Sequence, residues 1–250
     1  MTGLARRWGL ALLVGAASAA LAATAATLAA TPAEPGVAAS FRQPDGASAF
    51  TLATLPGRLQ LRDATGQVLR DWPVQDAQGG RGEVLAAFEA PQRCSFLVVL
   101  RGLPELWEIS VDPAAEPIFD GLVHDYRMGE GLARPGFMGI RRSRLERPWV
   151  AAFFDPRVPW LVGAEAPDPH TGAMSAVVLH LDIRRAMARL PLPAPAPGAS
   201  ALAGTALAGT ALWDAGPASP RWQLALPAAQ GWAVYDTQRW TLLRHASGPR

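Results

Sequence analysis

The stretch Arg58-Leu59-Gln60-Leu61-Arg62-Asp63-Ala64-Thr65-Gly66-Gln67-Val68-Leu69-Arg70 decides the fold. Leu59 and Leu61 alternate with Arg58, Gln60 and Arg62, the period of two that marks a half-buried β-strand. Asp63-Ala64-Thr65-Gly66 then supplies a turn, its aspartate able to accept hydrogen bonds from the turn's own amides. Gln67 to Arg70 starts a strand back. The same order recurs along the chain. Residues 177–181 run into Asp182-Ile183-Arg184-Arg185 and then residues 186–190. Residues 233–235 run into Asp236-Thr237-Gln238-Arg239 and then residues 240–244. A looser copy is residues 106–111 followed by Asp112-Pro113.

Asp63, Asp112, Asp182 and Asp236 lie 49, 70 and 54 residues apart. Repeats of about 40 to 50 residues built from short strands are the mark of propeller blades. One blade cannot bury both of its faces, so stacking neighbours supplies the core. The expectation is an all-β, propeller-like domain over residues 40–250, with about four to five blades at that period. Five could close as a ring. Four would leave exposed β edges, so pairing, including a homo-oligomer, is expected if the ring is not closed. Eight tryptophans spread from Trp72 to Trp240 at blade-like intervals and are expected to pack between blades.

The rest of the composition sets bounds. Half of the 250 residues are hydrophobic and the formal charge is +2, with arginine as the sole Lys/Arg-type cation. Without a clustered basic face, nucleic acid is excluded as a partner. One cysteine, Cys94, allows no intramolecular disulfide, and its apolar setting predicts a buried, inert thiol. Residues 1–30 read as a signal peptide: Arg6 and Arg7, an apolar stretch from Trp8 to Val14, then small residues. The uncharged stretch is also long enough for an uncleaved anchor. Both readings place the domain outside the cytoplasm, in the periplasm.

The middle interval is longer than the others, and residues 120–150 read as an insertion. It holds His124-Asp125-Tyr126-Arg127-Met128-Gly129-Glu130-Gly131, then Pro135-Gly136-Phe137-Met138-Gly139-Ile140-Arg141-Arg142, and leads to Phe153-Phe154-Asp155. Glycines let a backbone approach a flat ligand, and arginines offer planar forks for carboxylates and stack on π systems. The alternative is a solvated surface loop, and composition alone does not choose. His180 alternates away from Leu179 and Leu181, so it is expected on the opposite side of its sheet. His170 and His245 are expected to be solvated.

Residues 100–110, the run Glu116-Pro117 to Gly121, and the segment from His124 to Glu130 resemble the NirF family of haem d1 biosynthesis. Pro135-Gly136-Phe137, Arg141-Arg142, Phe153-Phe154-Asp155 and the run Leu179 to Arg185 with Leu190-Pro191-Leu192-Pro193 extend the likeness over about residues 80 to 200. The resemblance implies a periplasmic propeller, eight-bladed in that family, that binds haem d1 or its tetrapyrrole precursor late in maturation for nitrite reductase. It implies cofactor contacts from His124, Tyr126, Arg127, Arg141, Arg142 and Asp155. Arg127, Arg141 and Arg142 would clamp carboxylates, His124 would meet the ring or ligate iron, and Asp155 would lie over the macrocycle. Haem d1 maturation proteins or nitrite reductase would be the partners. The chain departs from the family at Pro195-Ala196-Pro197-Gly198-Ala199-Ser200, where a histidine is expected, and in having no histidine before His124. A second reading is therefore a cofactor-free propeller that binds partners in a denitrification assembly. A third is an unrelated hydrolytic or sugar-processing β enzyme, against which stands the absence of a Gly-x-Ser-x-Gly elbow. The sequence names no reaction.

Overall fold

The computed structural model describes residues 36–42, 49–119, 133–194, 206–215 and 222–248. The chain divides into two units, Met1–Pro32 and Ala33–Arg250. The expected leader, residues 1–30, falls in the first, outside the described residues. The second unit is built of antiparallel strands in four four-stranded sheets and one two-stranded hairpin.

The first sheet holds β1 (Gly36–Arg42), β2 (Ala49–Leu55), β3 (Arg58–Asp63) and β4 (Val68–Pro73). The second holds β5 (Glu83–Ala90), β6 (Ser95–Arg101), β7 (Glu105–Ser110) and, after an excursion, β10 (Ile140–Arg144). The excursion carries the hairpin β8 (Ile118–Phe119) and β9 (Ala133–Arg134). The third sheet runs β11 (Trp149–Phe154), β12 (Trp160–Glu165), β13 (Met174–His180) and β14 (Arg185–Leu192). The fourth runs β15 (Ala211–Asp214), β16 (Trp222–Pro227), β17 (Trp232–Asp236) and β18 (Leu242–Ala246). These are four propeller-type blades. The extra chain of the second blade lies between β7 and β10; residues 140–144 of the expected insertion are themselves that blade's outer strand.

Each recurring aspartate closes the third strand of its blade. Asp63 accepts from the amides of Thr65 and Gln67, Asp112 from Ala114, and Asp236 from Gln238. Asp182 departs from the pattern, because its carboxylate reaches Arg93 of the neighbouring blade instead.

Three buried clusters join successive sheets. Leu52, Leu59 and Leu61 of the first sheet meet Phe96, Val98 and Trp107 of the second. Leu97 and Val99 of the second meet Trp149, Leu161 and Leu179 of the third. Val162, Ala164 and Val178 of the third meet Leu224, Leu226 and Tyr235 of the fourth. Strand β6 thus buries alternate residues against two different neighbours, which is why its sequence runs apolar without a break. Each such side chain contributes about 1.5–3 kcal/mol of burial. Among the described residues, strand β3 joins a buried cluster through one face, that of Leu59 and Leu61. Its other face carries Arg58, Gln60 and Arg62, with Arg58 and Gln60 bonded to Asp71, as a polar outer repeat should. Of the eight tryptophans expected between blades, Trp107, Trp149 and Trp160 each sit in a different inter-sheet cluster, whereas Trp213 and Trp232 belong to none of the three.

Cys94 differs from its expected place. It is half-buried, ahead of β6, with φ of 45° at the end of a short 3-10 turn over Pro91–Arg93. The apolar run that suggested burial begins two residues later, at Phe96. His180 ends β13 beside buried Leu179 and Leu181, with its Nδ1 accepting from the Asp182 amide at 3.3 Å.

Candidate functional site

The turns at one end of the second and third sheets bring three arginines and two carboxylates together from four places in the sequence. The turn between β5 and β6 supplies Arg93, β7 supplies Glu108, the start of β10 supplies Arg141, and the turn between β13 and β14 supplies Asp182 and Arg184. Two adjoining cavities open there, of about 330 and 620 Å³. They share Glu116, Ile118 and Arg141. The larger has an apolar wall of Pro117, Ile118 and Phe119 and is otherwise lined by Glu116, Arg141, Arg142 and Arg184. Phe119 is 58% exposed, so a ring could lie against it without first displacing protein.

Local geometry explains how the wall is held. A Cβ on Gly136 would collide with the carbonyl oxygens of Ala115 and Glu116. That glycine therefore lets the returning chain lie flat against the wall's own backbone, a closer use than the approach to a ligand expected from sequence. The Met138 amide completes the seam, donating to the Ser110 carbonyl at 2.8 Å.

Electrostatics sort the arginines. Arg93 donates through Nε to Glu108 at 2.8 Å and through Nη1 to Asp182, tying the second blade to the third. Its burial alone would lower its pKa, but the bonds to both carboxylates hold it above the ordinary arginine value. Arg142 donates to the Gln75 carbonyl at 3.1 Å and to Glu105 at 3.3 Å, and its guanidinium lies 4.8 Å from the Trp107 ring centroid. Arg184 has one carboxylate, Glu108, at 4.0 Å. Burial pushes its pKa below the ordinary value, and the positive charge of Arg141 pushes the same way.

Of the residues expected at the site, Arg141 and Arg142 both line the larger cavity. Asp155 lines neither of the two; it sits in the turn between β11 and β12, where Arg157 donates to it at 2.8 and 2.5 Å. Arg157 in turn reaches the Leu212 carbonyl and the Trp222 ring, so this pair fastens the third blade to the fourth. His124, Tyr126 and Arg127 lie outside the described residues. Among the described residues no group of three or more His, Cys, Asp or Glu side chains could hold a metal ion. The residues present fit the rim of a carboxylate-bearing ring, with cations facing an apolar wall. Arg93, Glu108 and Arg184 were not legible as site residues, because they converge only through the stacking of two blades.

Fold and site together define a propeller-type all-β protein with an arginine-rich cavity where its second and third blades meet. No family model matches the chain. Over 56 residues it is 45% identical to the dihydro-haem d1 dehydrogenase of Pseudomonas aeruginosa, an alignment spanning 22% of this chain and 11% of that protein. The solved structure of dihydro-haem d1 dehydrogenase NirN in complex with DHE is similar over 81% of this chain and 36% of that one, with 25% identity and a TM-score of 0.54. A Cps50 (Swd1) β-propeller domain of Myceliophteria thermophila is similar over 88% of this chain and 59% of that one, at 12% identity and a TM-score of 0.43. Part of this chain is thus homologous to a haem d1 protein, and the chain spans about a third of that solved relative's length.

Proposed function

We propose that this is a NirF-like periplasmic protein that binds haem d1 or its tetrapyrrole precursor and assists late haem d1 maturation for nitrite reductase. The observation that carries the reading is the larger cavity, where an apolar wall at Pro117–Phe119 accompanies Arg141 and Arg184. A flat macrocycle with acidic substituents needs both features in one place. The homologous relative, a dihydro-haem d1 dehydrogenase, supports the same ligand class. In this reading His124 meets the ring or ligates its iron, Tyr126 and Arg127 complete the rim, and maturation proteins or nitrite reductase exchange the cofactor with it.

Thermal unfolding tests the proposal, because a ligand that binds the folded state alone stabilises it by RT ln(1 + [L]/Kd), about 2.7 kcal/mol at a hundredfold excess over Kd. Haem d1 should raise Tm in a concentration-dependent way, and ordinary haem should do so less. The alternative, a partner-binding propeller without cofactor, draws on Phe119 and Ile183, apolar and more than half exposed. An unmoved Tm with haem d1 would favour it.

A further inference from the structure

The described lining of the larger cavity sets Arg141, Arg142 and Arg184 against one carboxylate, Glu116. Arg93 holds both Glu108 and Asp182, Arg184 reaches Glu108 alone, and Asp182 is itself more than half exposed. Glu108 is already committed: it accepts from Arg93 at 2.8 Å and from the Ser95 hydroxyl at 3.2 Å, which leaves Arg184 a distant contact at 4.0 Å. No described carboxylate lies within ion-pair distance of Arg141. Arg142, by contrast, has its carboxylate, its carbonyl and its aromatic face, so its charge is answered within the protein.

Arg184 also holds a backbone conformation that non-glycine residues avoid, with φ of 53°. Such positions are strained and persist where surrounding structure fixes them. The strained turn carries the Arg184 guanidinium to the cavity that Arg141 lines from the adjoining blade. Burial next to Arg141 and Arg93 further disfavours its charged form. Burial and like-charge repulsion thus converge on one side chain whose nearest carboxylate among the described residues is 4.0 Å away.

We propose that Arg141 and Arg184 form a carboxylate clamp across the junction of the second and third blades, and that Arg184, not Arg142, decides whether a carboxylate-bearing ring binds. The ligand class is a planar ring bearing free carboxylates, so the proposal rests on the tetrapyrrole reading. The clamp itself requires only a carboxylate placed between two guanidinium groups. A ligand held by both arginines bridges two blades and stiffens their junction.

The test uses the full chain with two probes of matched ring: haem, which has free carboxylates, and its dimethyl ester, which has none. The natural protein should prefer the acid by roughly 10- to 150-fold, the span expected for a hydrogen bond between charged groups. Arg184→Gly, which suits the left-handed backbone, should erase that preference, leave ester affinity in place and keep Tm without ligand at or above the natural value. Arg142→Gln should keep the preference. Retention of the preference in Arg184→Gly, or its loss in Arg142→Gln alone, would overturn the assignment. If neither ring binds, the tetrapyrrole reading fails and citrate separates the two claims. A citrate-dependent rise in Tm that Arg184→Gly abolishes would uphold the clamp, and no rise would overturn it.

Discussion

Gly163 and Trp149 give a sharp prediction about what holds the blades together. Gly163 lies in β12, directly under the Trp149 ring, and a Cβ there would fall inside the indole. Trp149 is 1% exposed in the cluster joining the second and third blades, so the ring has no free volume to move into. Gly163→Ala should therefore cost the upper part of the overpacking range, about 3 kcal/mol. For a domain of this size that is roughly 6–12 °C in Tm. Trp149→Ala alone should cost about 3–5 kcal/mol through the cavity it leaves. In the Trp149→Ala background the alanine at 163 meets empty space, and its cost should fall to about zero or turn slightly favourable. Denaturant unfolding of the four proteins reads the coupling, expected at about 2–3 kcal/mol. Additivity within about 0.5 kcal/mol would refute the packing argument.

Glu165 is 1% exposed and accepts from Arg147 at 2.6 Å and from Arg189. Both arginines are more than a third exposed and can rehydrate, so Glu165→Gln should cost only about 1–2 kcal/mol by equilibrium unfolding. Asp155 has its pKa held below the ordinary carboxylate value, chiefly by the hydrogen bond from Arg157. A depressed native pKa contributes stability above the unfolded value, near pH 4, and loses it as pH falls through the native value. Asp155→Asn should thus be less stable than the natural protein at pH 7, with the gap closing below pH 4 in acid unfolding curves. Arg141→Ala should weaken haem d1 binding by about 1.5–3 kcal/mol in a spectroscopic titration, and unchanged affinity would assign the arginine to surface solvation.

The blade pattern was legible where a strand is exposed on one face. Strand β3 alternates because a neighbour covers Leu59 and Leu61 while Arg58, Gln60 and Arg62 face away. The aspartates were legible because Asp63, Asp112 and Asp236 bond their own turns, a local effect. The first strands of the blades were not. Strand β5 is half-buried along most of its length and shows no period, and β15 is four residues long in alanine-rich sequence. At the site, Arg141 and Arg142 stood out as a pair, but their different fates depend on Glu105, Gln75 and Trp107, which only the fold brings to Arg142. Arg184 was readable as a turn residue. Nothing local marks its left-handed backbone or its approach to Arg141, since both follow from how two blades meet. Asp155 shows the converse: a motif residue whose role in the described structure is to anchor Arg157.

The most direct test of the central claim is a titration of the full chain with haem d1, with ordinary haem as control, followed by visible absorption. The account predicts a saturable spectral shift at micromolar protein that is selective for haem d1 and weakened in Arg141→Ala. No shift, or an equal response to both rings that ignores Arg141, would contradict it and turn attention from cofactor to protein partners.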